Sequence, residues 1–499
     1  MRKIAVSVAC ALSAFLLASP AAGDVRFGVA DDTGKNAPDG GATFYGALAR
    51  AGLSEDAITV RWEPNAPFAV SEYVMLDRTV AQASAHGIRL VFVVTPSSAA
   101  AISSSPQMTG AFGTFLRLLA ARYPRVRDYE IGLEPNQPRF WQPQFNPDGS
   151  PASGAAYEAF LAAGYDALKT ADPTLRVIGF NISDRGNDNP FAASNVSTSP
   201  VRFIHDAAAA FRASGRSRPL MDAFGYHPYP LSSSDPLSTG ARWPNAGVPN
   251  LDRIDQAIWD GFAGTAQPTL EQGLQLAVTE IGWQTAIPAG SSSAYTGEEN
   301  VPVTDEATQA RIYGEVVHTL ECNASVSDVL FFHFVDEIPL EGFQTGLLRA
   351  DWTTRPAYNA VVQALDGTRG GCLGTVVHLK HTTGVVGAAL ALGKRGRSWR
   401  ATARAEEDVD YTAGVVRVGS SRIDRRSVVR ALAQGSPPEV PFGVDGELHA
   451  YWNQVFRFPV GALPPGRYVL AVRLSASLAP QRTALFVKPF RVLRGRSRG

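Results

Sequence analysis

The sequence predicts an α/β chain in two parts: a (β/α)8 TIM barrel over residues 24–365 and an all-β, Ig-like sandwich over 374–493. Three observations carry that prediction. Eight short apolar runs alternate with helical patterns between Val25 and Leu365. A Gly-rich stretch without apolar periodicity, DGTRGGCLGT (366–375), interrupts the rhythm. Beyond it the pattern changes to alternating apolar and polar residues separated by turns such as LPPGR (463–467). Apolar strands alternating with helices imply parallel strands covered on both faces, and eight such units suit a closed barrel. An open doubly wound sheet would show a Gly-rich phosphate turn after its first strand, and GVADDTGKN (28–36) is not one.

Taken in order, the strand runs are VRFGVA (25–30), ITVRW (58–62), IRLVFVV (88–94) and DYEIGL (128–133), then RVIGFNI (176–182), MDAFGYH (221–227), LAVTEIGW (276–283) and VLFFHFV (329–335). Helical patterns lie between them, including 111–123, 155–171, 307–322 and, last, 355–365. Residues 366–373 read as a linker. In the second part, 398–405, 449–460, 467–477 and 483–493 read as antiparallel strands. The charge divides at the same place. Residues 373–499 hold 20 Lys/Arg against 8 Asp/Glu, whereas the preceding residues hold 26 against 38.

A parallel barrel presents its chemistry at the C-terminal ends of its strands. The polar residues there are Arg61 and Glu63 on the second strand, Glu134 and Asn136 after the fourth, and His227 and Tyr229 at the sixth. Glu280 follows on the seventh, then His333 and Asp336 on the eighth. Two carboxylates on separate strands facing one another, Glu134 and Glu280, are what a retaining glycosidase needs: one to protonate the leaving oxygen, one to attack the anomeric carbon. Trp62, Phe140, Trp141, Trp283 and Trp352 near strand ends either stack on sugar rings or pack in the core. Asp31 and Asp32 read as a loop turn or as contacts to a sugar hydroxyl or calcium ion. No His-Glu-x-x-His or other tight metal spacing occurs, so neither metal nor cofactor is expected; His378 and His381 read as surface residues of the second domain.

Together, GLEPNQ closing the fourth strand, YHPYP closing the sixth and TEIGW closing the seventh resemble clan A of the glycoside hydrolases, with the family 39 and family 5 (cellulase-like) group nearest in pattern. The resemblance covers about residues 25–365. It implies a secreted retaining β-glycosidase with Glu134 as acid/base and Glu280 as nucleophile. It further implies that Tyr229 hydrogen-bonds the nucleophile, that His227 lines its pocket and that Arg61 holds it ionised. Asn136, Trp283 and His333 join His227, Tyr229 and Arg61 as candidate substrate-binding residues. Glu63, in a second Glu-Pro-Asn, ends a strand where this architecture has no general acid, and reads as an ion-pair or sugar-binding carboxylate near Arg61. The chain departs from the pattern at Leu133, where the resemblance implies an asparagine donating to the sugar 2-hydroxyl. Asn136 and Asn181 are alternative donors. That departure keeps two other readings open: a non-catalytic carbohydrate-binding barrel, and a cell-surface adhesion protein.

The N-terminus, MRKIAVSVACALSAFLLASPAAGD, has a cationic start, an apolar run and small residues, the pattern of a cleaved secretory signal peptide ending near Ala21–Gly23. No run is long enough to span a membrane. Cys10 would leave with that leader, so the mature chain keeps Cys322 and Cys372, which read as one disulfide or as two free thiols. The basic second module suits an anionic surface such as cell wall or acidic polysaccharide, and equally reads as a solvated face. The tail 494–499 reads as disordered, and no nucleic-acid partner is expected.

Overall fold

The computed structural model describes residues 25–99, 105–369, 371–395, 398–419, 423–434 and 440–493. The leader-like N-terminal segment and the basic tail lie outside the described residues. Eight parallel strands close into a barrel in sequence order: β1 (Arg26–Ala30), β2 (Glu55–Trp62), β3 (Arg89–Pro96), β4 (Asp128–Ile131), β5 (Arg176–Ser183), β6 (Ala223–His227), β7 (Gln275–Ile281) and β8 (Val326–Phe331). Helices α1 (Thr33–Asn36), α2 (Ala42–Arg50), α3 (Tyr73–Ala85), α4 (Pro106–Arg122), α5 (Ser153–Ala171), α6 (Pro200–Ser214), α7 (Leu251–Phe262), α8 (Glu306–Glu321) and α9 (Pro356–Thr368) run between and after them. Apolar faces of these helices pack on outward strand residues such as Phe92, Tyr129, Phe224 and Phe331 to form the main core.

Two strands differ from expectation in an instructive way. β2 begins at Glu55 and β8 at Val326, three residues earlier than the apolar runs suggest, because each carries an inward acid near its start, Glu55 and Asp328; β8 also ends at Phe331, four residues before the expected Val335, so His333 follows the strand. There Arg26, Glu55, Arg89, Asp128, Arg176 and Asp328 form a closed ring of alternating charge. Arg26 pairs with Glu55 at 2.7 Å and with Asp328. Arg89 pairs with Glu55 at 3.2 Å and with Asp128, and Arg176 with Asp128 at 3.5 Å and Asp328 at 2.6 Å. Burial works against ionisation of Asp328, but Arg176 and Arg26 hold it well below the usual carboxylate range. Above this floor lies a layer of small and branched residues, among them Ala57, Val91, Ile178, Ala223, Ala277 and Leu330.

The second domain is a sandwich. Strands β9 (Ala389–Arg395), β10 (Ser398–Arg404) and β13 (Gln454–Phe458) form a sheet in the order β13-β10-β9. The facing sheet, β12-β11-β14-β15, is built from β11 (Val409–Arg417), β12 (Phe442–Leu448), β14 (Gly466–Ala476) and β15 (Thr483–Val492). All pairings are antiparallel. Ala401, Ala403, Val415, Phe456, Leu470 and Val472 fill the space between the sheets. Helix α10 (Arg425–Gln434) covers part of the outer face through Val428 and Leu432. Of the expected run 449–460 only the second half is strand; residues 449–452 form a turn that meets the barrel.

The domains are joined by specific contacts. Arg482 of the sandwich is 3% exposed; it reaches across to Asp260 of α7 at 2.9 Å and, within its own domain, binds Glu407 at 2.6 Å. His381, expected at the surface, instead stacks on Trp259 with ring centroids 4.6 Å apart. Cys322 and Cys372 are disulfide-bonded, with Val377 pairing beside them through Ala324 N–H (2.9 Å) and Cys322 carbonyl (2.7 Å). The bridge closes a separation of 50 residues, for which chain entropy gives about 4 kcal/mol. The Cys322→Ser/Cys372→Ser protein should unfold at correspondingly lower denaturant; an unchanged midpoint would rule that contribution out.

Candidate active site

The fourth strand ends at Ile131, and Gly132 (φ +79°) and Glu134 (φ +37°) then take left-handed backbone conformations. The resulting bend, fixed by the Glu134 N–H donating to the Asn181 carbonyl at 2.9 Å, turns the Glu134 carboxyl into the barrel mouth. Glycine meets the first of these demands without cost, whereas a glutamate at positive φ does so at about 1 kcal/mol or more. Across the mouth, β7 delivers Glu280 and β6 delivers His227.

His227 is fully buried and sits between the two acids. Its Nδ1 lies 3.1 Å from Glu134 Oε1 and 3.6 Å from Glu280 Oε2. The Tyr229 hydroxyl donates to Glu280 Oε2 at 2.8 Å. The ligand atoms of Glu134, His227 and Glu280 all fall within 4.8 Å of one another. Such a group has the composition to hold a metal ion, although a cation would have to displace the imidazole proton to use Nδ1. Burial disfavours charge on His227, but Glu280, and then Glu134, outweigh it and push the imidazole up to about 9. Burial also raises the Glu280 carboxyl, against the opposing pull of His227.

The sign of the histidine shift sets a pH dependence. A folded-state value raised above the unfolded value of about 6.5 favours the protonated fold. That stabilisation is complete below about pH 6.5 and is lost as pH rises through about 9. A melting-temperature series from pH 6 to 10 should fall more steeply for the wild type than for His227→Gln; parallel curves would contradict the assignment.

The acids open into a cavity of about 720 Å³ at the barrel mouth. Leu133, Tyr229, His333, Phe140, Asp31 and Asp32 belong to its walls. Leu133 packs on the apolar interior of the barrel, and its side chain offers no donor where the motif pattern has one. His333 stands beside Phe332 with ring centroids 3.6 Å apart, and its Nδ1 has no partner among the described residues.

Other sequence candidates are placed elsewhere. Arg61 is exposed, outside the cavity wall, and engages Glu72 through its backbone N–H at 2.8 Å; Glu280 takes its positive neighbour from His227 instead. Glu63 accepts from Ser97 Oγ at 2.5 Å rather than pairing with Arg61. Asn136 is fully buried, and its amide ties the β4–α5 and β5–α6 loops through Ser183 and Thr198. Asn181 is equally buried. Trp283 is a core residue whose Nε1 donates to the Asp235 carbonyl at 3.0 Å, and Trp62 and Trp141 are likewise buried. Asp31 caps the β8 loop by accepting from Phe334 and Val335 N–H.

Two acids that matter here had no motif to mark them. Asp184 lines the cavity; burial pushes its carboxyl up to about 7, against Arg185 at 2.9 Å, and its Oδ2 lacks a partner among the described residues. Glu130, two residues beyond Asp128 on the same inward face of β4, is fully buried. Burial pushes it up to about 8, so it is a neutral acid near neutrality, and its Oε2 is unpartnered among the described residues, as is His227 Nε2. Strand alternation alone would have placed Asp128 and Glu130 inside the barrel.

No family model and no curated protein matches this chain. Among solved structures, it is similar to a family 39 glycoside hydrolase from the gut symbiont Bacteroides cellulosilyticus WH2, at 16% identity over 80% of this chain and 73% of that one, with a TM-score of 0.48. It is also similar to a monomeric β-xylosidase from Caulobacter crescentus CB15 (15% identity, 87% and 93% covered, TM-score 0.44). A third is GH5_18 from Streptomyces cattleya in complex with GlcNAc (16%, 69% and 80%, TM-score 0.46). The barrel's own strand order carries the fold, and the chemistry rests on the geometry of its mouth.

Proposed function

We propose that this chain is a secreted retaining β-glycosidase acting on an O-linked plant or microbial oligo- or polysaccharide. The observation that carries the proposal is the pair Glu134 and Glu280, with carboxylate oxygens within 4.8 Å across a sugar-sized cavity. That spacing suits double displacement, whereas an inverting site needs about 6.5–9.5 Å between carboxyl groups to seat a water. The resemblance of the strand-end motifs to clan A glycoside hydrolases supports the same roles. Secretion is supported by the leader-like N-terminus and by a disulfide, which persists in oxidising compartments.

In this reading the proton on His227 Nδ1 passes 3.1 Å to Glu134 Oε1, and Glu134 gives it to the leaving glycosidic oxygen. Glu280, oriented by Tyr229, attacks the anomeric carbon as that C–O bond breaks. Glu134 then takes a proton from water, whose oxygen displaces Glu280 from the sugar, and returns it to His227 Nδ1, which restores the starting state. The excess positive charge of the sandwich is read as a contact surface. Arg400 and Arg457 stand directly opposite one another and, with Arg404, are exposed. Like charges so placed are unfavourable unless an anion joins them, which supports contact with an acidic polysaccharide or cell wall.

Leu133 favours a second reading, a barrel that binds sugar without cleaving it. Incubation with aryl β-glycosides decides between the two. Turnover above that of Glu134→Ala and Glu280→Ala, with a fluorinated glycoside trapped on Glu280, is the expected result. Wild-type turnover equal to the variants', or trapping on another residue, overturns it.

A further inference from the structure

A second groove, of about 380 Å³, lies where the barrel meets the sandwich, lined in part by Asp188, Arg202, Arg242, His449, Tyr451 and Trp452. From this groove we infer a second carbohydrate-binding site, which takes a non-reacting stretch of the same polysaccharide; the inference rests on the glycosidase reading for its ligand class.

The groove is built around an indole kept in solvent. Trp452 is 67% exposed, although burying so large a ring is ordinarily favourable. The turn that carries it is held firmly. Tyr451 adopts a left-handed conformation (φ +64°), which costs a non-glycine residue about 1–2 kcal/mol. Its N–H donates to the Ala405 carbonyl at 2.8 Å, and its hydroxyl accepts from Arg253 of the barrel at 2.9 Å. The Ala450 N–H donates to Asp408 at 2.7 Å, and the Trp452 N–H to the His449 carbonyl at 3.1 Å. A strained turn fixed from both domains presents one flat apolar face.

The surroundings complete a sugar's requirements. A pyranose ring offers an apolar C–H face to an indole and equatorial hydroxyls at its edge. Asp188 supplies a carboxylate there, and the Arg202 and Arg242 guanidinium groups donate no hydrogen bond to another described residue. Two loops connect this groove with the active site. The β5–α6 loop gives Arg185 and Asn195 to the catalytic cavity and Asp188 to the groove. The β6–α7 loop gives Leu231 to the first and Arg242 to the second. The two sites thus share the walls of the same two loops.

The test is native affinity electrophoresis of the full-length Glu280→Gln protein in gels containing soluble arabinoxylan, galactomannan or laminarin, compared with the same protein carrying Trp452→Ala, Trp452→Phe or Arg242→Ala. The expected result is retardation by at least one polysaccharide. Trp452→Ala should weaken it by about tenfold, as for loss of a central aromatic contact; Trp452→Phe should retain most of it, and Arg242→Ala should weaken it in part. A melting temperature matching the parent establishes that each variant is folded. Absence of retardation in all three gels, or retardation unchanged by Trp452→Ala, overturns the site. If no substrate is ever turned over but retardation still depends on Trp452, the groove stands and the hydrolase reading falls.

Discussion

Replacing Glu280 with alanine is expected to lower kcat on an aryl β-glycoside by a factor on the order of 10⁵–10⁶, the scale seen when a catalytic nucleophile is removed. In the proposed double displacement that carboxylate forms the glycosyl-enzyme, so an added small anion such as azide should restore turnover of the variant by occupying the vacated space. Glu134→Ala should behave differently. Its loss on a natural glycoside should be about 10²–10⁴, the worth of general acid–base catalysis, and smaller on an activated aryl leaving group that needs no proton. Equal losses on both leaving groups would show that Glu134 is not the acid. The two outcomes separate roles that distance alone leaves symmetric, since His227 contacts both carboxylates.

The second large effect is on stability. Asp328→Ala removes the shared partner of Arg26 and Arg176 at the barrel floor. Breaking a buried ion pair from one side leaves an uncompensated charge, at a cost of about 3–5 kcal/mol. Urea unfolding followed by tryptophan fluorescence should show a midpoint well below that of the wild type. The double replacement Asp328→Leu/Arg176→Met should recover much of the loss, because an apolar pair of similar volume avoids the stranded charge. A single variant as stable as the wild type would mean that water or rearrangement neutralises Arg176.

What the sequence made legible follows from periodicity. Eight apolar runs gave eight strands, and their ends brought Glu134, His227, Tyr229 and Glu280 together. It failed where a side chain's direction depended on more than strand position. The bend at Gly132 and Glu134 changes phase beyond β4, so Asn136 turns into the loops instead of the cavity. Trp283 lies two residues past the end of β7 and packs back toward Tyr313. Asp328 was hidden because an acid inside an apolar strand reads as a break, and only its partners on β1 and β5 explain it. Glu130 was legible as an inward residue from strand alternation, but its raised carboxyl was not, because that comes from burial in the closed barrel. In the sandwich, β9, β11 and β12 escaped notice because small and charged residues dilute their alternation.

Arg482 gives the chain a property that neither domain has alone. Undocking the sandwich would part its Arg482 guanidinium from Asp260 of α7 and leave Glu407 of the same domain as its remaining partner. Separation therefore gives up one buried ion pair. That pair couples the two domains, so a single calorimetric transition is the expected result for the whole chain, and two separate transitions would show that the junction gives way first.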